Sequence, residues 1–129
     1  CTKLMMGVRL YVPLMVYGSD YFADYYTDRV DLTREFAAVI DRSDDFECAM
    51  TPQTNIICFR YAPTGYTGDL DQLQKDIRKA ILQSEEYYIV QAQLADGFYL
   101  RCTIINPMTT LAMLEKLLEA IRQTAQQLL

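Results

Sequence analysis

Histidine is absent from all 129 residues. That removes the usual neutral-pH proton shuttle, His-based activation of a nucleophile and the commonest nitrogen ligand for metals. Cysteine is sparse: Cys1, Cys48, Cys58 and Cys102 are widely spaced, and the last three lie in apolar, strand-like runs. They read as small buried apolar residues, which argues against a structural zinc site. Basic charge is also short, with 12 Lys and Arg against 17 Asp and Glu for a net charge of −5. Nucleic acid and anionic membranes are therefore disfavoured as partners, because both reward a basic patch. The most apolar run, "LMMGVRLYVPLMVYG", contains Arg9 and Pro13, falls short of the roughly 20 residues of a membrane span, and lacks a secretory cleavage pattern. A cytoplasmic location is expected. Gly65 and Gly68 are too few to form a phosphate-cradling loop.

What is present is the composition of one globular domain, 51% hydrophobic and 22% charged. A chain of this size buries roughly two thirds of its unfolded surface, enough for a core without disulfides or metals. The chain opens at Cys1 inside an apolar pattern, which suggests a piece of a longer protein. Residues 3–17 read as a helix apolar nearly all round, a pattern that implies burial on several sides. Pro13 predicts a kink in it, Gly18 a stop, and Ser19 a cap for a second helix over residues 20–42. In that second helix Phe22, Tyr25, Tyr26, Phe36, Val39 and Ile40 face inward, while Asp20, Asp24, Asp28 and Arg34 keep the other side wet.

"DFECAM" and "TNIICFRYA" read as two strands joined by a turn at Pro52. Asp69 with Gln72 predicts a capping box, followed by a helix bearing Leu70, Leu73, Ile77 and Ile81 on one face. "YYIVQAQLADGFYLRCTII" reads as a hairpin, with Asp96-Gly97 as a type I′ turn. Thr109 or Thr110 caps a last helix carrying Leu111, Leu114, Leu118, Ile121, Ala125 and Leu128 at helical spacing. The expected architecture is α+β: a two-layer sandwich with a small antiparallel-rich sheet, helices packed on one face, and a long N-terminal helical segment ahead of it.

One residue in this pattern raises a chemical question. Period-two alternation puts Phe98, Leu100, Cys102 and Ile104 on the core face and Tyr99, Arg101, Thr103 and Ile105 on the other. Arg101 then points away from the core. It is either a solvated strand residue, or one paired across the sheet with Gln91 or Gln93, or an anion-recognition group that offers its planar fork to a carboxylate. Periodicity leaves these open. Arg60 reads as part of an inter-element ion pair, Asp44 and Asp45 as a solvated turn, and the ten tyrosines mostly as packing.

"CTKLMMGVRLY", "FECAMTPQTNIICFRY" and "GFYLRCTIINPMTT", in that order and followed by a leucine-rich helix, resemble the C-terminal part of the pyridoxal-phosphate-dependent group II amino-acid decarboxylases. The resemblance implies a lyase of fold type I, a homodimer, whose cofactor domain lies upstream and carries the Schiff-base lysine. Lys3, Lys75, Lys79 and Lys116 do not match that lysine's motif, so no catalytic or cofactor-binding residue is expected in this stretch, and it should be inactive alone. It further implies that Arg101 binds the substrate's α-carboxylate, holding the bond to be broken perpendicular to the cofactor ring. On this reading residues 1–42 link to the cofactor domain and residues 43–129 form the small C-terminal domain. Two alternatives remain: a stand-alone α+β module that binds a small acid or a protein, and a transaminase relative of the same fold type.

Overall fold

The computed structural model describes residues 5–129, so Cys1, Lys3 and the expected helix start at residue 3 lie outside the described residues. Along the chain run α1 (Met6–Asp41), β1 (Phe46–Cys48), β2 (Ile56–Tyr61), α2 (Leu70–Gln83), β3 (Val90–Leu94), β4 (Gly97–Thr103) and α3 (Leu111–Leu128). The strands form one antiparallel sheet in the order β1-β2-β4-β3. All three helices pack on the same face of it. The expected two-layer α+β sandwich is what forms.

Alternation on the central strands explains the single core. Ile57, Phe59 and Tyr61 of β2 and Leu100 of β4 point to the helix side, where they meet Phe36 and Ile40 of α1, Ile77 and Ile81 of α2, and Leu118 and Ile121 of α3. Phe36 meets Phe59 edge to face at 5.6 Å between centroids. Each of these fully buried side chains contributes roughly 1.5–3 kcal/mol through removal of apolar surface from water.

α1 breaks once, at Gly18 (φ +77°, ψ 168°), and Pro13 stays within helical geometry. The kink expected at Pro13 is therefore absent, and the break falls at Gly18, the expected stop between the two helices. Proline's fixed φ suits a helix and costs it one hydrogen bond, whereas Gly18 occupies a region that a Cβ would forbid. Ser19 does not cap the second half; its hydroxyl meets the Asp20 carboxylate at 3.3 Å. The first half also departs from expectation. Leu10 is 61% and Val16 67% exposed, as are Met6 and Tyr17 to similar degrees, because no described element covers that stretch. In the second half Phe36 and Ile40 are buried as expected, but Tyr26 faces solvent. Leu128, near the end of α3, is likewise exposed.

Caps and turns carry further detail. The Asp69 carboxylate accepts from the Gln72 backbone N–H at 3.0 Å, but the Gln72 amide donates to Asp76 instead of reaching back, so half of the capping box exists. Thr110, and not Thr109, caps α3. The hairpin of β3 and β4 is present, yet Leu94 pairs with Gly97, which leaves residues 95–96 as the turn. Both sit at negative φ while Gly97 takes φ +144°, so the turn is not type I′. Gly97 is needed there: a Cβ would come within 2.8 Å of the Asp71 carboxylate and 2.9 Å of the Arg60 guanidinium.

Gln74 was not foreseen. It is fully buried, accepts from the Tyr61 N–H at 2.9 Å and donates to the Tyr61 carbonyl at 2.8 Å. One side chain of α2 thus satisfies both backbone groups at the end of β2. Gln74→Leu should cost about 1–3 kcal/mol by leaving those groups unpaired, and Leu100→Ala about 2–5 kcal/mol by opening a cavity. Urea denaturation of the full chain measures both; a Gln74→Leu variant as stable as the parent would show that α2 is not tied to β2 in this way.

Candidate functional site

The helix-free face of the sheet is built by the other half of the same alternation. Arg101 stands opposite Cys58 of β2 on one side and Val90 of β3 on the other. Gln91 and Gln93 are opposite Leu100 and Phe98, on the other face, so the register rules out the cross-strand glutamine pair. Arg101 is exposed and makes no hydrogen bond or ion pair among the described residues.

The sheet's other arginine behaves differently. Arg60 pairs with Glu47 across β1 and β2 and lies over the Tyr99 ring at 4.7 Å, the inter-element ion pair expected of it. Tyr99 is buried, and its hydroxyl donates to Asp96 at 2.8 Å. Burial, reinforced by that bond, pushes the Tyr99 hydroxyl up to about 12. Asp45 is not part of a merely solvated turn, because Arg122 of α3 donates to it twice, at 2.6 and 2.9 Å, and stacks on Phe46. Tyr61 and Tyr99 are packing residues as read, whereas Tyr11, Tyr17, Tyr21 and Tyr88 are exposed.

Arg101 lines one of two depressions, and its cross-strand neighbour Cys58 lines the other. One, of about 270 Å³, is lined by Tyr88, Val90, Arg101, Thr103 and Thr109 among others. The second, of about 310 Å³, runs from Met50, Pro52 and Ile56 past Cys58 to Leu94 and is mostly apolar. A cation at the border of an apolar trough suits a ligand that combines an acid group with a hydrocarbon body. Lys75, Lys79 and Lys116 sit on exposed helical positions and line neither depression.

The described thiols, Cys48, Cys58 and Cys102, do not form a nucleophilic centre. Desolvation pushes Cys102 up to about 12, and desolvation aided by the nearby Asp41 does the same to Cys48. Cys58 is also raised by desolvation, and the positive charge of Arg101 pulls it partly back. A reactive thiol is held low instead.

The connection from β4 to α3 completes the surroundings. The Asn106 side chain accepts from the Met108 N–H at 2.9 Å, closing a local turn. Arg29 of α1 donates to the Asn106 and Thr109 carbonyls at 3.0 and 3.2 Å, Tyr25 donates to the Ile105 carbonyl, and the Asn55 amide donates to the Ile104 carbonyl at 3.1 Å. Sequence reasoning missed Arg29 and Asn55; the four-residue spacing of Tyr25 and Arg29, which puts both on one helix side, was the available signal.

No family model matches the chain. It is 26% identical over 111 residues to tyrosine decarboxylase 2 of Arabidopsis thaliana, covering 84% of this chain and 20% of that protein. It is 23% identical over 128 residues to L-2,4-diaminobutyrate decarboxylase of Acinetobacter baumannii, covering 98% of this chain and 25% of the relative. In three dimensions it matches the glutamate decarboxylase domain of diaminobutyrate-pyruvate transaminase and L-2,4-diaminobutyrate decarboxylase from Vibrio parahaemolyticus, with a TM-score of 0.83 and 28% identity over 93% of this chain and 26% of the other. Its homologues are pyridoxal-phosphate-dependent amino-acid decarboxylases. The Oryza sativa TDC with PLP and tryptamine shares the fold, with a TM-score of 0.81 at 17% identity over 95% of this chain and 27% of that one. The chain spans about a fifth to a quarter of the length of the curated relatives it matches.

Two outcomes follow from the thiol environment. Arg101→Ala removes the charge that lowers Cys58, so less thiolate exists at a given pH; iodoacetamide should label Cys58 more slowly, with an unchanged rate at Cys102, as read by peptide mass spectrometry. Because the folded Cys102 thiol lies near 12 against an ordinary 9.0, its contribution to stability is intact below about pH 9 and is lost as the pH rises toward 12. Urea midpoints measured across that window should fall with pH, less steeply in Cys102→Ala.

Proposed function

We propose that this chain is the C-terminal domain of a pyridoxal-phosphate-dependent amino-acid decarboxylase, a carboxy-lyase, and that Arg101 binds the α-carboxylate of its substrate. The carrying observation is Arg101 itself: of the sheet's two arginines, Arg60 is neutralised by Glu47, while Arg101 has no partner among the described residues and lines a depression, with a second one reaching its cross-strand neighbour Cys58. The likeness to decarboxylases over nearly the whole chain supports the reaction class.

On this reading the cofactor and the lysine that carries it belong to an upstream domain, the parent is a cytoplasmic homodimer, and the present residues contribute substrate positioning only. Residues 1–42 are the link to that domain and residues 43–129 the small domain proper. The exposed apolar first half of α1 supports such a link, since an uncovered apolar helix surface needs a partner. A rigid strand holding a guanidinium opposite an incoming acid supplies orientation before reaction, which lowers the entropic part of the barrier. The stand-alone binding module is the competing reading, and the coding region just upstream of Cys1 separates the two: a cofactor domain with a His-Lys segment there ends the module reading.

In the full-length parent, Arg101→Ala should cost about 2–4 kcal/mol of transition-state stabilisation, a loss of roughly 30- to 1,000-fold in kcat/KM. Carbon dioxide release from tyrosine, tryptophan and 2,4-diaminobutyrate measures it. The unfolding free energy should stay within about 0.5 kcal/mol of the parent's because the side chain is exposed. Undiminished turnover in the variant would refute the assignment.

A further inference from the structure

We infer that Arg29 is a positioning residue for the acid-binding pocket of Arg101, acting through the backbone of the segment between β4 and α3. The inference rests on the reading of Arg101 given above. Its own observations are separate from it. Residues 104–109 leave β4 three positions after Arg101 and return to the pocket at Thr109, which lines the same depression as Arg101. Arg29 Nη1 bridges the carbonyls of Asn106 and Thr109, at 3.0 and 3.2 Å, so one guanidinium nitrogen fixes both ends of the turn.

The grip comes from outside the sheet, since α1 approaches from the helix layer some 77 to 80 residues earlier in the chain. Tyr25, one helical turn before, holds the adjoining Ile105 carbonyl. The arrangement is not one that packing alone would select, because Arg29 Nε is buried with no hydrogen-bond partner. A fold that retains a desolvated, unpaired donor in order to keep the Nη1 contacts is using the fork for placement. What it places is the Thr109 wall of the pocket. Movement of that wall by a fraction of an ångström changes how an acid seated on Arg101 is enclosed, while Phe59 and Leu100, fully buried at the centre of the core, lie outside the lining.

The test uses the full chain, labelled with ¹⁵N and titrated with sodium phenylacetate as the probe, followed at the Thr103 and Thr109 amides. Arg29→Met, which keeps the stem and loses the donors, should weaken probe binding about five- to tenfold with little change in the urea midpoint, and Arg29→Lys should restore part of the affinity. Arg101→Ala serves as the control for the underlying reading. Loss of binding in Arg101→Ala together with unaltered binding in Arg29→Met overturns the role of Arg29 alone; an absence of saturable shifts in the unmodified chain overturns both. Should Arg29→Met fail to fold, Arg29→Lys decides, because it retains the charge and gives up the two-carbonyl bridge: weaker binding supports the inference, and unchanged binding defeats it.

Discussion

The pleat of β4 is the constraint on which the rest depends. Leu100 is fully buried under the helices and Arg101, its neighbour, is exposed on the opposite face. The pairing of Cys58 with Arg101 and of Phe59 with Leu100 locks that assignment from β2, and the pairing of Val90 with Arg101 locks it from β3. A slip of one residue in either pair would send a guanidinium into the helix layer and a leucine into water, so register is held by the full cost of burying an unpaired charge. Both the stability of the domain and the chemistry available to its open face come from this single alternation.

The open face acquires its character by subtraction. Arg60 is occupied by Glu47 and the Tyr99 ring, and Tyr99 in turn is occupied by Asp96. The thiol on this face, Cys58, is raised by desolvation. What is left unpaired on that face among the described residues is the Arg101 cation beside apolar ground, which suits recognition of an acid.

Much of the fold was legible in the residues because strand alternation and helix periodicity agree with each other here. The sheet, the hairpin, the two capped helices and the outward aim of Arg101 all follow from patterns of two and of three to four. The misreadings share a cause. Whether the first half of α1 is covered, whether Gln72 turns back toward Asp69, and which two residues make the hairpin turn depend on what stands nearby in space. So does the role of Gln74, which a sequence shows only as one glutamine among several on a polar-looking helix. Asp45 was read as solvated because its partner, Arg122, is 77 positions away. For the site itself, Arg101 could be singled out by its isolation along the strand, whereas for Arg29 the helical spacing from Tyr25 showed only a shared helix side, because the two carbonyls it holds lie 77 and 80 positions along the chain.

Gly18 gives α1 an articulation with no loop. Its dihedral pair, φ +77° and ψ 168°, lies where side chains are excluded, so the heading of the apolar half relative to the half buried in the core is carried by one achiral residue that no L-amino acid replaces without strain. Helical rigidity runs up to that point on both sides, and the apolar half therefore swings or stays as a single lever. The direction of that exposed apolar surface is thus set by one residue's pair of backbone dihedrals instead of by a flexible tether.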